Sequence, residues 1–547
     1  MSEWDYIVIG AGSAGSVLAN RLSADPANRV LLLEAGGVDW SPYIHVPAAI
    51  IRAIGNPSLD WCYLAEADAS RKNKVDLWPA GRALGGSSSI NGMMFVRGQP
   101  SDFNRWAAAG CDGWSYEHVL PYFQRAESTA LGGDDYRGRE GPLRVNRLRS
   151  THPLAEIFVK AAVERGVPFN EDYNGAEQTG VGYSQVTQSR GWRYSASRAY
   201  LWPAWRRKNL TIKTGASCER LLIDGKRITG VEYRKGGQLQ QAMARQSVVL
   251  SAGVIGSPKL LMLSGIGPAA ELDKHGIAVQ LDVPEVGANL ADHPEGMVGI
   301  EVNVSTYNTE INSWKIPLHG LNWLVFGRGP ATSPYPHAVA FLKSDEALSD
   351  PDIQVQLGPY AFSFSEEGVV PYERPAISAS VNISYPRNRG RVRLSSPAAS
   401  APPVIEHQLL DDEQDMQMLI AACKRVREIF RAPAFDTYRV AERQPGEAVQ
   451  TDAEWAEYLR ETAFLGYHGV STCRMGADAG SVVDPELKLR GMDGLRIVDA
   501  SVMPDLISGN THATVVMIAE RAADLILGRE SPINEPSGDQ HNEEHHH

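Results

Sequence analysis

An α/β fold in two lobes is what this sequence predicts. One lobe rests on a parallel sheet assembled from separated stretches of chain; the other rests on an antiparallel sheet covered by helices. Three observations carry that expectation. The chain has 547 residues, more than one compact core ordinarily encloses. Its N-terminus reads strand, glycine turn, helix, strand. Residues 300–465 then change character, with many aromatic side chains and alternating, strand-like segments.

The first element is Tyr6-Ile7-Val8-Ile9, a short apolar run that reads as a buried strand and breaks at Gly10. Ser16 to Ser23 carries Val17, Leu18 and Leu22 at helical spacing, and Val30 to Leu33 is a second strand ending at Glu34. That order is a βαβ unit, which requires a parallel sheet. The turn Gly10-Ala11-Gly12-Ser13-Ala14-Gly15 fits the dinucleotide fingerprint. Gly10 permits the tight turn, Gly12 lets the backbone approach a pyrophosphate, and Gly15 permits close helix–strand contact. The helix N-terminus offers free N–H groups to phosphates, and Glu34 is placed to accept ribose hydroxyls. A Rossmann-like domain follows.

Ser247-Val248-Val249-Leu250 and Leu495-Arg496-Ile497-Val498 read as further strands of the same sheet, so the domain is discontinuous. In the second lobe Ala376 to Ser384 alternates as a strand, and aromatics such as Trp314, Trp323, Tyr335, Phe341 and Tyr360 suit a lobe that roofs a ligand. The expected division is 1–155, 200–300 and 466–530 for the nucleotide domain and 156–199 with 301–465 for the second lobe. Residues 531–547, polar and ending in three histidines, are expected to be a disordered tail.

Composition narrows the function. Fifty-three Lys and Arg against 65 Asp and Glu give a formal charge of −12, which argues against nucleic acid as a partner. Five scattered cysteines without a CxxC pair predict neither a disulfide framework nor a metal site. The N-terminus is acidic and enters a strand at once, no apolar run reaches the ~18 residues of a membrane span, and a cytoplasmic location is expected.

Longer motifs decide between nucleotides. Gly81-Arg82-Ala83-Leu84-Gly85-Gly86-Ser87-Ser88-Ser89-Ile90-Asn91 and Ser251-Ala252-Gly253-Val254-Ile255-Gly256-Ser257-Pro258, with Val286 to His293, Pro386 to Gly390 and Tyr467 to Glu520, resemble segments of the glucose–methanol–choline (GMC) oxidoreductases in the same order. The resemblance implies FAD as cofactor. By it, Ser13, Ala14, Ala35, Trp78, Gly85, Ser88, Asn91, Gly92, Met93, Met94 and Cys218 join the fingerprint glycines and Glu34 around the cofactor, with Asp499, Ala500 and Thr514 from the C-terminal stretch. Some family members link FAD through a histidine just before the signature Asn. Here that position is Ile90, so the FAD is expected to be non-covalent.

The same resemblance assigns the catalytic base to His468, in Tyr467-His468-Gly469-Val470-Ser471, and the second active-site group to His512, with Val515 to Leu527 as the following helix. Alcohol oxidation needs a base for the hydroxyl proton and a partner for the oxygen, and neutral imidazole suits the first task. His45, His275 and His407 read as ordinary histidines and Cys473 as packing. The expected substrate is a primary alcohol with an aromatic or hydrophobic body, oxidised to the aldehyde, with electrons passing to oxygen or another acceptor. Glu366-Glu367 reads as a solvated loop tip. The alternatives are a choline-type alcohol dehydrogenase and a hydroxynitrile lyase-like protein that uses FAD structurally.

Overall fold

The computed structural model describes residues 3–311, 314–365 and 368–530. The expectations for Glu366-Glu367 and for 531–547 lie outside the described residues.

The nucleotide sheet runs Leu210–Lys213, Val30–Leu33, Glu3–Ile9, Gln238–Leu250, Arg227–Lys235, Ala216–Asp224, with Leu495–Ile497 also paired to the long strand Gln238–Leu250. Its centre is parallel: Ile7 aligns with Leu31 on one side and Val248 on the other, and Val249 aligns with Arg496. The start, middle and end of the chain therefore meet in one sheet. Val8, Leu31, Leu32, Val248 and Val249 are wholly buried, each contributing about 1.5–3 kcal/mol of transfer free energy. The fingerprint glycines are dictated by contact. Gly10 has φ +92°, and a Cβ there would lie 2.4 Å from Ser251 O; a Cβ on Gly15 would lie 1.8 Å from Gly10 O.

The helix Ser13–Leu22 packs against the C-terminal helix His512–Leu527. Buried Glu520 of that helix takes Arg21, Arg125 and the Tyr200 hydroxyl. The C-terminal helix starts at His512, three residues before the expected Val515. Thr511 supplies no side-chain cap that would have marked the start in the sequence.

The roof is an antiparallel sheet in the order Arg439–Gln444, Pro294–Val302, Ala376–Ile383, Ile353–Gly358, Ala338–Leu342, Gly180–Tyr183, with Phe464–Leu465 paired to the start of Pro294–Val302. It begins at Pro294, ahead of the expected boundary at 301. Strand alternation sorts its faces. Val298, Ile300, Ile377, Val381, Val355 and Leu357 pack with the helix Glu413–Phe430. The intervening positions, Glu295, Ser380, Asn382, Gln354 and Gln356, are polar and buried. On that second face Val339 and Phe341 meet Met93 and Met94. The polar side of the roof therefore faces the stretch that follows the Gly81–Asn91 segment.

Candidate active site

Partly exposed small residues stand among buried ones in the nucleotide domain: Gly12, Ser13, Asn91, Gly92, Gly253 and Ala500. Gly12 precedes the first helix without a side-chain cap, and a Cβ on it or on Gly92 would meet nothing within 4 Å. Open backbone at a helix N-terminus is what a pyrophosphate requires. Gly85 donates its N–H to Ala11 O at 2.7 Å, and a Cβ on Gly86 would strike Gly12 Cα at 2.6 Å. The Gly-Gly-Ser turn thus lies directly on the fingerprint.

Glu34 accepts from the N–H groups of Ala11 and Gly36, each at 2.8 Å, and burial pushes it up to about 7. It shapes the turn around Ala35, and Cys218 lies close enough for the Glu34 charge to raise its thiol further. Other residues expected at the cofactor have their side chains engaged within the protein. Ser88 Oγ donates to Gly85 O and accepts from Ala196 N. Met93 and Met94 turn into the roof cluster, and Thr514 Oγ1 donates to Arg97 O. Ala14 is buried in the first helix. Trp78 is buried against the loop that carries His468, 2.9 Å from where a Gly469 Cβ would stand.

Asp499 is held from three sides within the protein. Its carboxylate takes Gly253 N, Ser257 Oγ and Ser501 N at 2.9, 2.6 and 2.8 Å, and it is buried. It ties two loops together. Arg193, missed in the sequence, is buried without an acid partner. It donates to Asn91 Oδ1 at 2.8 Å and to Ser88 O at 3.3 Å, and burial lowers it to about 9.

The loop carrying His468 is held by Asp292. That carboxylate accepts the N–H groups of His293 (2.8 Å), His468 (2.7 Å) and Tyr467 (3.1 Å), while burial pushes it up to about 8. Tyr467 and Ser471 sit at φ +60° and +76°, conformations that non-glycine residues accept only when the surroundings impose them.

A directed chain of hydrogen bonds runs through His468. His293 Nε2 faces the carbonyl of Ser384 at 3.0 Å, so it carries the proton and leaves Nδ1 bare. Nδ1 of His293 lies 3.0 Å from Nδ1 of His468, which must then be the donor, so Nε2 of His468 is bare. The other end agrees independently. Gln354 Nε2 donates to Asn510 Oδ1 at 3.0 Å, which turns the Asn510 Nδ2 donor onto His468 Nε2 at 2.8 Å. Burial, then the neighbouring His293, hold His468 well below the usual histidine range, and burial lowers His293 to about 4. His468 is a neutral imidazole whose unprotonated Nε2 accepts from Asn510.

The second group at His468 is therefore Asn510 and not His512. The C-terminal helix begins at His512, and the side chain points back along the helix to Ser13 Oγ, 3.0 Å away. Burial lowers it to about 4, and its Nε2 has no partner. Asn510 stands in the same Ser508–Thr514 loop, two residues earlier.

One further acid sits in the roof. Glu295, two positions after His293, is buried, and burial pushes it up to about 7. Asn382 bridges it to Gln354, 3.2 Å from each. Among the described residues Glu295 forms no ion pair.

Family models of the GMC oxidoreductases match residues 4–295 and 386–519. The chain belongs to the GMC oxidoreductase family. It is 42% identical over 533 residues to an oxygen-dependent choline dehydrogenase of Rhizobium etli, covering 96% of each chain. To the mitochondrial choline dehydrogenase of Homo sapiens it is 41% identical, over 96% of this chain and 90% of the relative. Among solved structures, pyridoxine 4-oxidase from Mesorbium loti superposes with a TM-score of 0.88 at 35% identity, covering 96% of this chain and all of that one. This GMC oxidoreductase is an FAD-dependent enzyme acting on CH–OH donors, and the open backbone at Gly12 and Gly92 fits the close approach of FAD.

Proposed function

We propose that this enzyme oxidises a primary alcohol carrying a cationic head, of the choline type, to the aldehyde. The observation that carries the reading is Glu295: a buried carboxylate with no basic partner, on the strand that follows His293 and linked through Asn382 and Gln354 to Asn510. Leaving such a charge unpaired costs several kcal/mol, which a bound cation offsets. Tyr335 and Tyr467 stand near enough to feel its charge, and their rings suit an ammonium group. The choline dehydrogenase relatives support this reading over the expected hydrophobic aryl alcohol.

The residues divide the work as follows. Glu295 anchors the head, and Asn510 Nδ2 and His468 Nε2 meet at the hydroxyl. When the alcohol enters between them, His468 Nε2 exchanges its bond from Asn510 Nδ2 for the hydroxyl proton, and Asn510 donates instead to the oxygen as negative charge develops on it. His293 keeps His468 in the accepting tautomer. FAD, when bound, supplies the hydride acceptor.

The test compares kcat/KM for choline, its neutral carbon isostere 3,3-dimethylbutan-1-ol, and benzyl alcohol. Preference for choline is expected. Preference for benzyl alcohol would restore the aryl-alcohol reading.

A further inference from the structure

The surface around the helix Ile316–Phe326 is apolar where a folded enzyme normally meets water. Within that helix only Trp323 is buried, its Nε1 donating to Gly191 O at 2.8 Å. Leu321, Leu324 and Phe326 are 58%, 62% and 66% exposed, and Trp314 just before is 79% exposed. The patch does not stop at the helix. Trp192 lies 4.2 Å from Trp323, His45 lies 6.1 Å from Trp192 and 6.0 Å from Trp202, and Trp202 Nε1 reaches Asp39, beside exposed Trp40.

Charge identifies what this face meets. Three stretches build it, 39–53, 190–208 and 314–328. Together they contain nine Lys or Arg, of which Arg193 is buried, and one acid, buried Asp39, in a chain whose acids outnumber its bases 65 to 53. Arg52, Arg190, Arg206, Lys208, Lys315 and Arg328 are exposed. The acid adjoining the helix, Glu310, is already taken by Lys315 and His319. Basic side chains around exposed Trp and Leu form the combination that seats a protein on an anionic bilayer. A protein partner would cover one stripe of the helix. Here the exposed side chains, from Ile316 and Leu318 to Leu324, Val325 and Phe326, spread over every side except that of Trp323, a larger apolar surface than a soluble protein ordinarily leaves to water. Indole rings favour the membrane–water boundary.

We propose that this face docks the enzyme peripherally on an anionic lipid surface, with Ile316–Phe326 lying in the headgroup layer. Among the described residues no helix is long and apolar enough to cross a membrane, so the attachment is to one leaflet. The inference stands apart from the choice of substrate.

The test is flotation of the FAD-loaded full chain with vesicles of phosphatidylcholine alone or mixed equally with phosphatidylglycerol. The wild type is expected to float with the mixed vesicles, less so with phosphatidylcholine alone or at about 0.5 M NaCl. The double variant Leu321→Asp, Phe326→Asp is expected to lose at least about tenfold in vesicle binding, its flavin spectrum and melting temperature unchanged. R206E/K208E is expected to lose the preference for the anionic lipid. Failure of the wild type to float, or equal flotation of the Leu321/Phe326 variant, overturns the proposal. Light scattering that shows a wild-type dimer, split by that variant and indifferent to vesicles, overturns it in favour of a second copy.

Discussion

Replacing Glu295 with Gln removes the charge and keeps the shape. Burial moves this carboxyl from 4.5 to about 7; at 1.36 kcal/mol for each factor of ten, the ionised form bears a cost of about 3 kcal/mol near pH 8. A bound cation relieves that cost and Gln never bears it, so E295Q is expected to weaken choline by on the order of a hundredfold. The head lies away from the reacting carbon, so the loss falls on KM while kcat changes little. The neutral isostere is expected to bind E295Q as well as or better than the wild type. The pH dependence has a fixed sign. Wild-type kcat/KM for choline rises with pH through about 7 as Glu295 ionises, while E295Q shows no such rise. Stability runs the other way, because a carboxyl with a raised folded-state pKa makes the native state bind more protons. Native stability therefore falls between about pH 4.5 and 7, and E295Q removes that fall. Steady-state kinetics and thermal melts at about pH 6 and 8 measure both. Equal loss toward choline and its isostere in E295Q would refute the cation-anchor reasoning.

Three other perturbations follow from the same geometry. His468→Ala is expected to keep its FAD spectrum yet slow anaerobic flavin reduction by ~10²–10⁴-fold, read by stopped flow; a wild-type rate would remove His468 from the mechanism. Gln354→Glu offers Asn510 only acceptors, turning its amide away from His468. A fall in kcat of about tenfold is expected, with Gln354→Met milder, and unchanged kcat in both would show that Asn510 needs no support. Ile90 lies in an apolar cluster with Ile44 and Leu59 and has no nucleophile; acid precipitation is expected to release all the flavin into the supernatant, and yellow precipitate would contradict that.

The fold was legible because its signals are local and physical. The apolar run ending at Gly10, the helix after it and Glu34 closing the second strand lie within one βαβ unit, and each glycine role has a steric cause in the structure. His468 was legible through its motif. The roof edge at Pro294 was not, because Pro294 and Gly296 read as turn residues although Pro294 opens the strand. Asn510 was missed because an Asn and a His stand two apart in one loop, and only the start of the C-terminal helix decides which side chain reaches His468. His293 and Glu295 carried a readable signal, two polar groups at strand alternation. Their meaning depends on partners far along the chain, Ser384, Asn382 and Gln354, which no local pattern reveals. The three donors that hold Asp499 become visible only once two distant loops meet.

The most direct measurement mixes the oxidised holoenzyme with choline in the absence of oxygen and follows the flavin absorbance. The expected result is stoichiometric bleaching with one aldehyde formed per flavin, faster than with glucose or benzyl alcohol. A flavin that stays oxidised with choline and every other alcohol, or that bleaches fastest with an uncharged one, would contradict oxidation of a cationic alcohol at His468.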